Sequence, residues 1–124
     1  MLNLDTHIVV ALLAGTLTRS EEALVSDQPL AISDIVLWEL AKLVQLGRLE
    51  LDLESPSFRE FVRRITVFPI SEQIARRSTR LDFASDPADE LIAATSVVER
   101  IPLLTRDRRM LKSTVVPLAV NIRT

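Results

Sequence analysis

Short apolar runs alternate with longer stretches of helical periodicity along this chain, and that order constrains the fold more than any single residue does. The runs at 1–4, 30–33, 67–70, 102–105 and 118–120 are too short for helices and read as strands, the last at an edge. Helical patterns fill the intervals at 6–14, 20–26, 34–46, 57–65, 71–81 and 87–100, with a helical turn at 108–112. Parallel strands need crossover connections, so strands that alternate with helices predict an α/β fold on a parallel sheet. Gly15 and Gly47, the only glycines, stand where helices should end, and prolines mark further element ends. Thr18 or Ser20 should cap the second helix, and Ser71 the helical stretch at 71–81. With 124 residues and no repeat, low-complexity tract or linker, the expectation is one domain over 1–124.

Composition narrows the functional classes. Aromatic residues make up only 4% of a chain that is 48% hydrophobic, so the core must be mostly Leu, Ile, Val and Ala. A net charge of −2 is not the footprint of a protein that grips nucleic acid by bulk charge. It leaves room for a nucleic-acid enzyme whose acidic residues are offset by bound cations. The basic residues are 13 Arg against 2 Lys, and Arg suits bidentate phosphate contacts. Without cysteine there are no disulfides and no thiolate metal sites. The apolar stretch at 8–14 is too short to span a bilayer, so a soluble, cytoplasmic protein with no membrane contact is expected. There is no Gly-x-Ser-x-Gly elbow, and two glycines cannot build a phosphate loop.

Four carboxylates stand out: Asp5, Glu39, Asp89 and Asp107. Asp5 and Asp107 follow predicted strands, and open parallel sheets bind ligands beyond the carboxyl ends of their strands. Taken singly, Asp5 and Asp107 also make ordinary helix N-caps. In Asp86-Pro87-Ala88-Asp89, Asp86 suits the N-cap, Pro87 the first helical position and Asp89 the third. One helix end rarely needs both acids, which leaves one for a ligand. Glu39 is different. Its neighbours on the helix surface are Ile35, Val36, Leu43 and Leu46, all apolar. A carboxylate on such a face is costly unless paired or holding a metal, the bland alternative being a pair with Lys42. If the four converge, they form an all-oxygen pocket for a hard cation such as Mg²⁺ or Mn²⁺. Thr105 could then support Asp107, and Arg106, Arg108 and Arg109 could meet phosphates, although a charge run is more often a solvated face. His7, the lone histidine, reads as a cap or packing residue before a general base, and Trp38 as core or interface.

Four segments together resemble the PIN-domain ribonucleases of the VapC toxin type. They are Leu4-Asp5-Thr6-His7; Ser33 followed by Trp38-Glu39-Leu40; Asp86-Pro87-Ala88-Asp89-Glu90-Leu91-Ile92-Ala93-Ala94-Thr95; and Leu104-Thr105-Arg106-Asp107. The resemblance covers nearly the whole length. It implies a three-layer α/β/α sandwich around a mostly parallel sheet of about five strands. It carries a catalytic metal site onto Asp5, Glu39, Asp89 and Asp107, with Asp86 contributing more weakly and Thr105 in support. It further implies Mg²⁺ or Mn²⁺ as cofactor and RNA as substrate, with Arg106 and Arg108 as RNA contacts. A VapB-like antitoxin would be the partner, and the chain would form a homodimer. The reaction would be hydrolysis of an RNA phosphodiester by metal-activated water. Two rivals stand beside it: a non-catalytic PIN-like scaffold, and a receiver-like domain phosphorylated on a strand-end Asp. The second would want a lysine at the end of a late strand, where Arg106 and Asp107 stand instead.

Overall fold

In the computed structural model, which describes residues 1–120, four parallel strands form one sheet in the spatial order Thr66–Phe68, Leu30–Ser33, Leu2–Leu4, Leu103–Leu104. The strands are β1 (Leu2–Leu4), β2 (Leu30–Ser33), β3 (Thr66–Phe68) and β4 (Leu103–Leu104). Between β1 and β2 lie helices α1 (Thr6–Ala14) and α2 (Arg19–Ser26). Next come α3 (Asp34–Gln45) and α4 (Pro56–Arg64), then α5 (Glu72–Ser78) and α6 (Pro87–Glu99), and finally α7 (Arg108–Leu111). The sheet is the middle layer of the expected α/β/α arrangement. Leu2 pairs with Leu30, and Leu4 with Leu104, so β1 is sandwiched between β2 and β4.

β1 lies inside the core along its whole length. Leu2 and Leu4 are fully buried and pack with Ile8, Val36, Leu40, Ile92 and Met110. Burying each such side chain is worth about 1.5–3 kcal/mol, which offsets the ordering of so short a strand. Between them Asn3 is equally buried and donates to the Ile92 carbonyl at 3.1 Å and to Ser96 Oγ at 2.9 Å. Those bonds tie the start of the sheet to α6, which carries Asp89 and is preceded by Asp86. Thr18, not Ser20, caps α2, in a reciprocal box with Glu21.

Three element ends differ from expectation. The sheet has four strands rather than about five, because the segment at 118–120 contributes only an isolated bridge between Leu118 and Leu103. Pro117 precedes it and can accept a hydrogen bond from Leu103 but cannot donate one, and Val120 is left exposed. β3 stops at Phe68 for the same reason, since Pro69 follows. α5 ends at Ser78 instead of running to residue 81. The Ser78 and Thr79 hydroxyls bond the carbonyls of Ala75 and Arg76, taking acceptors that a continuing helix would use.

Candidate active site

The strand order doubles back between β2 and β4 on either side of β1, and the crevice at such a switch point is where open α/β sheets bind ligands. Asp5 leaves the end of β1 at this crevice, and Thr105 and Asp107 leave the end of β4 beside it. Asp5 is almost wholly buried and uses both carboxylate oxygens. Oδ1 accepts the Thr6 N–H at 2.8 Å and so caps α1; Oδ2 accepts the Thr105 hydroxyl at 2.6 Å. The same Thr105 oxygen accepts the backbone N–H of Asp107 at 3.0 Å. One threonine therefore holds two of the acids in register.

The other acids are fixed in a similar way. Thr6 donates its hydroxyl to Glu39, which is half-buried on α3. Lys42 bonds Gln45 at 2.9 Å, and among the described residues Glu39 makes no ion pair, so the bland pairing with Lys42 is absent. Asp89 accepts the Ser85 hydroxyl at 2.9 Å. Asp86 has the extended backbone of an N-cap, yet its side chain makes no capping bond. Asp107 caps α7 through Oδ1 alone, which accepts from Arg109 N at 2.8 Å and Met110 N at 3.2 Å. Thr6 and Ser85 were not singled out from sequence as supports. Their only signal there is a hydroxyl residue next to an acid, a pair too common to stand out.

Asp5, Glu39 and Asp89 each lie within reach of another acid's charge. Burial raises the pKa of Asp5, and the Asp107 charge pushes the same way against the lowering hydrogen bonds of Thr105 and Thr6. Burial also raises Glu39, with Asp89 and Asp5 adding repulsion. Asp89 is raised by burial and then by Asp5, Asp107 and Asp86. A carboxylate cluster whose charges are individually disfavoured is a place where a cation is favoured. Among the described residues, no three acidic or histidine side chains are gathered tightly enough to hold one ion as they stand. The donor chemistry nonetheless fits a hard divalent cation: every candidate donor is oxygen, and Oδ2 of Asp107 takes no part in the cap.

Two residues have surroundings that differ from expectation. Arg106 is exposed, and its Nε and Nη2 donate to the two oxygens of Glu21 at 2.7 and 2.6 Å. It lies at the strand end, where its planar fork meets the carboxylate that also caps α2. Trp38 is not core, since 54% of it is exposed. Arg108 is exposed on the first turn of α7, next to Asp107.

A doubly wound parallel sheet with an acidic crevice at its switch point defines a class of α/β protein that serves many chemistries. The sequence model of the PIN domain matches residues 3–115, and the chain belongs to that family. Ribonuclease VapC22 of Mycobacterium tuberculosis (strain ATCC 25618 / H37Rv) is 30% identical over 94 residues, covering 73% of this chain and 72% of that protein. The expected resemblance to VapC-type PIN proteins is thereby borne out. Among solved structures, a toxin-antitoxin complex from Klebsiella pneumoniae is similar with a TM-score of 0.73 at 22% identity, over 96% of this chain and 97% of that one. VapBC2 from Rickettsia felis, bound to a DNA fragment from its promoter, has a TM-score of 0.70 at 22% identity, over 96% and 98%. No helix among the described residues is long and apolar enough to cross a membrane.

Proposed function

We propose that this chain is a divalent-metal-dependent endoribonuclease and the toxin of a toxin–antitoxin pair. The observation that carries the reading is that Asp5, Glu39 and Asp89 are each pushed toward their neutral form by burial and by a neighbouring carboxylate. Asp5, Glu39, Asp89 and Asp107 would hold Mg²⁺ or Mn²⁺, with Asp86 contributing more weakly. When bound, such a cation supplies Lewis acidity toward a phosphodiester and its attacking water.

The chain's own residues position that chemistry. Thr105 orients Asp5 and Asp107 together, Thr6 orients Glu39, and Ser85 orients Asp89. Supports of this kind decide how well a site accepts its ion. Arg108, exposed on the first turn of α7, would meet a phosphate of the RNA strand. The family name of the relative and the complexes formed by the structural neighbours support a ribonuclease with an antitoxin partner. Two apolar grooves suit the tail of a VapB-like antitoxin. One, of about 570 Å³, runs along Leu37, Leu53, Phe58 and Val62 with Arg59 and Arg63 at its rim. The other, of about 630 Å³, lies among Leu12, Leu13, Val25, Leu30 and Phe61. A cytoplasmic homodimer is the assembly we propose, and a monomer by light scattering at micromolar concentration would count against it.

The test is RNA cleavage by the purified chain with Mg²⁺ or Mn²⁺. Activity should vanish in excess chelator and fall by at least about a hundredfold in Asp5→Asn and Asp89→Asn, the scale of losing a catalytic electrostatic group. Full activity in either variant, or with chelator, would reject the reading.

A further inference from the structure

The sole tryptophan of the chain is on the wrong side of its helix for packing. Val36 and Leu40 point into the core, and Trp38 lies two residues, about 200°, from each. A tryptophan buries about 150–250 Å² when packed, so leaving it open in a chain this poor in aromatics gives up a large core contribution. It borders a cleft of about 130 Å³ together with Thr6, His7, Glu39, Lys42 and Asp89. Lys42 Nζ stands 5.9 Å from the ring centroid. A half-exposed aromatic ring, the Lys42 cation over one of its faces and two acids of the candidate site thus share one small recess.

We propose that Trp38 is the stacking platform for an unpaired nucleobase of the RNA strand, with Lys42 meeting the adjoining phosphate; this rests on the ribonuclease reading above. Single-stranded RNA is held through base–aromatic stacking and backbone cations, both of which the recess presents. A base on Trp38 would place its own phosphate next to Glu39, one residue along α3. Trp38 would therefore be a binding residue that chooses unpaired over paired RNA, since a base inside a duplex has no free face to offer.

Because Trp38 is the only tryptophan, intrinsic fluorescence reports on this residue alone. The full chain is titrated, with Ca²⁺ in place of Mg²⁺, with a short single-stranded oligouridylate and with an abasic strand of equal length and charge; the strand is then recovered to check that it is intact. The base-bearing strand should quench or shift the emission and the abasic one should not. Read by the fluorescence anisotropy of an end-labelled strand, Trp38→Ala should weaken binding roughly 5- to 150-fold, and Trp38→Phe should restore most of it. The position is exposed, and thermal melting confirms that both variants fold. An emission that ignores both strands, or answers both equally, overturns the proposal, as does unchanged affinity in Trp38→Ala. So does an emission that shifts only on dilution with a matching change in mass, which would put a second copy of the chain over the ring. If Trp38 responds but Mg²⁺ and Mn²⁺ never yield cleavage, the nuclease reading fails and stacking stands. If RNA is cut while Trp38 stays silent, stacking alone fails.

Discussion

Replacing Glu21 by Gln should destabilise the protein by about 1–2 kcal/mol at neutral pH. Glu21 sits in the first turn of α2 and receives both nitrogens of Arg106 from the turn between β4 and α7. Its side chain is 11% exposed, against 44% for Arg106. The Arg106 hydrogen bonds, aided by Thr18 and the Arg106 charge, hold the Glu21 carboxyl at about 2, from an ordinary 4.5. That displacement corresponds to about 3 kcal/mol of preference for the charged form in the fold. Solvent screening at the half-exposed guanidinium discounts it to the smaller figure. Gln can still return the capping-box bond to Thr18, so the variant removes charge and leaves the helix start intact. Because the folded pKa is depressed, the contribution is full above the unfolded value near 4.5 and is lost as pH falls toward 2. Urea unfolding should therefore show a gap between wild type and Glu21→Gln at about pH 7 that narrows between about pH 5 and pH 3. Arg106→Gln should lose a similar amount, and the double variant no more than either single one. Equal unfolding midpoints at neutral pH, or a gap that does not narrow on acidification, would refute a stabilising role for the Arg106–Glu21 pair.

Other outcomes follow from the same geometry. Glu39→Gln keeps an acceptor for the Thr6 hydroxyl while removing a charge that burial, Asp89 and Asp5 all disfavour, so the metal-free variant should melt above wild type. Mn²⁺ should raise the melting temperature of wild type more than that of Glu39→Gln; equal metal shifts would separate Glu39 from the cation site. Arg100 closes α6 in the left-handed region at φ 58°, where glycine is unstrained, so Arg100→Gly should stabilise by roughly 0.5–1 kcal/mol in urea unfolding. Gly15, at φ 72° with open space around it, should show the converse: Gly15→Ala should cost about 1 kcal/mol from backbone strain alone.

Much of this architecture was legible in the residues because local chemistry and tertiary packing agree. The alternation of apolar runs with helical periods predicts β1 through β4 and the six longer helices, and the glycines at 15 and 47 mark ends that do adopt positive φ. What failed to show is where local signals compete. An apolar 118–120 looks like a strand, but a strand exists only if a neighbour supplies its ladder, and Pro117 together with an exposed Val120 limits the pairing to one bridge. Arg106 lies in an arginine run that reads as a phosphate contact. Its actual partner, Glu21, is 85 residues away, and nothing periodic links the two. Trp38 reads as core or interface from sequence, and its position relative to Val36 and Leu40 turns it out of the core.

The cap and ligand readings of the acids, which look like rivals in the sequence, are compatible in three dimensions. A carboxylate has two oxygens, and a helix N-terminus needs only one. Asp107 gives Oδ1 to α7 and leaves Oδ2 outside the cap. Asp5 gives Oδ1 to α1 and turns Oδ2 to Thr105, at the mouth of the same crevice. The bonds from backbone N–H and hydroxyl groups lower the cost of keeping charge in a buried place, and burial with mutual repulsion still leaves Asp5, Glu39 and Asp89 short of compensation. Capping alone would satisfy a carboxylate and need no second acid beside it. Among the described residues Asp5, Glu39 and Asp89 make no ion pair, and that unpaired negative charge is the physical ground on which we propose a bound cation.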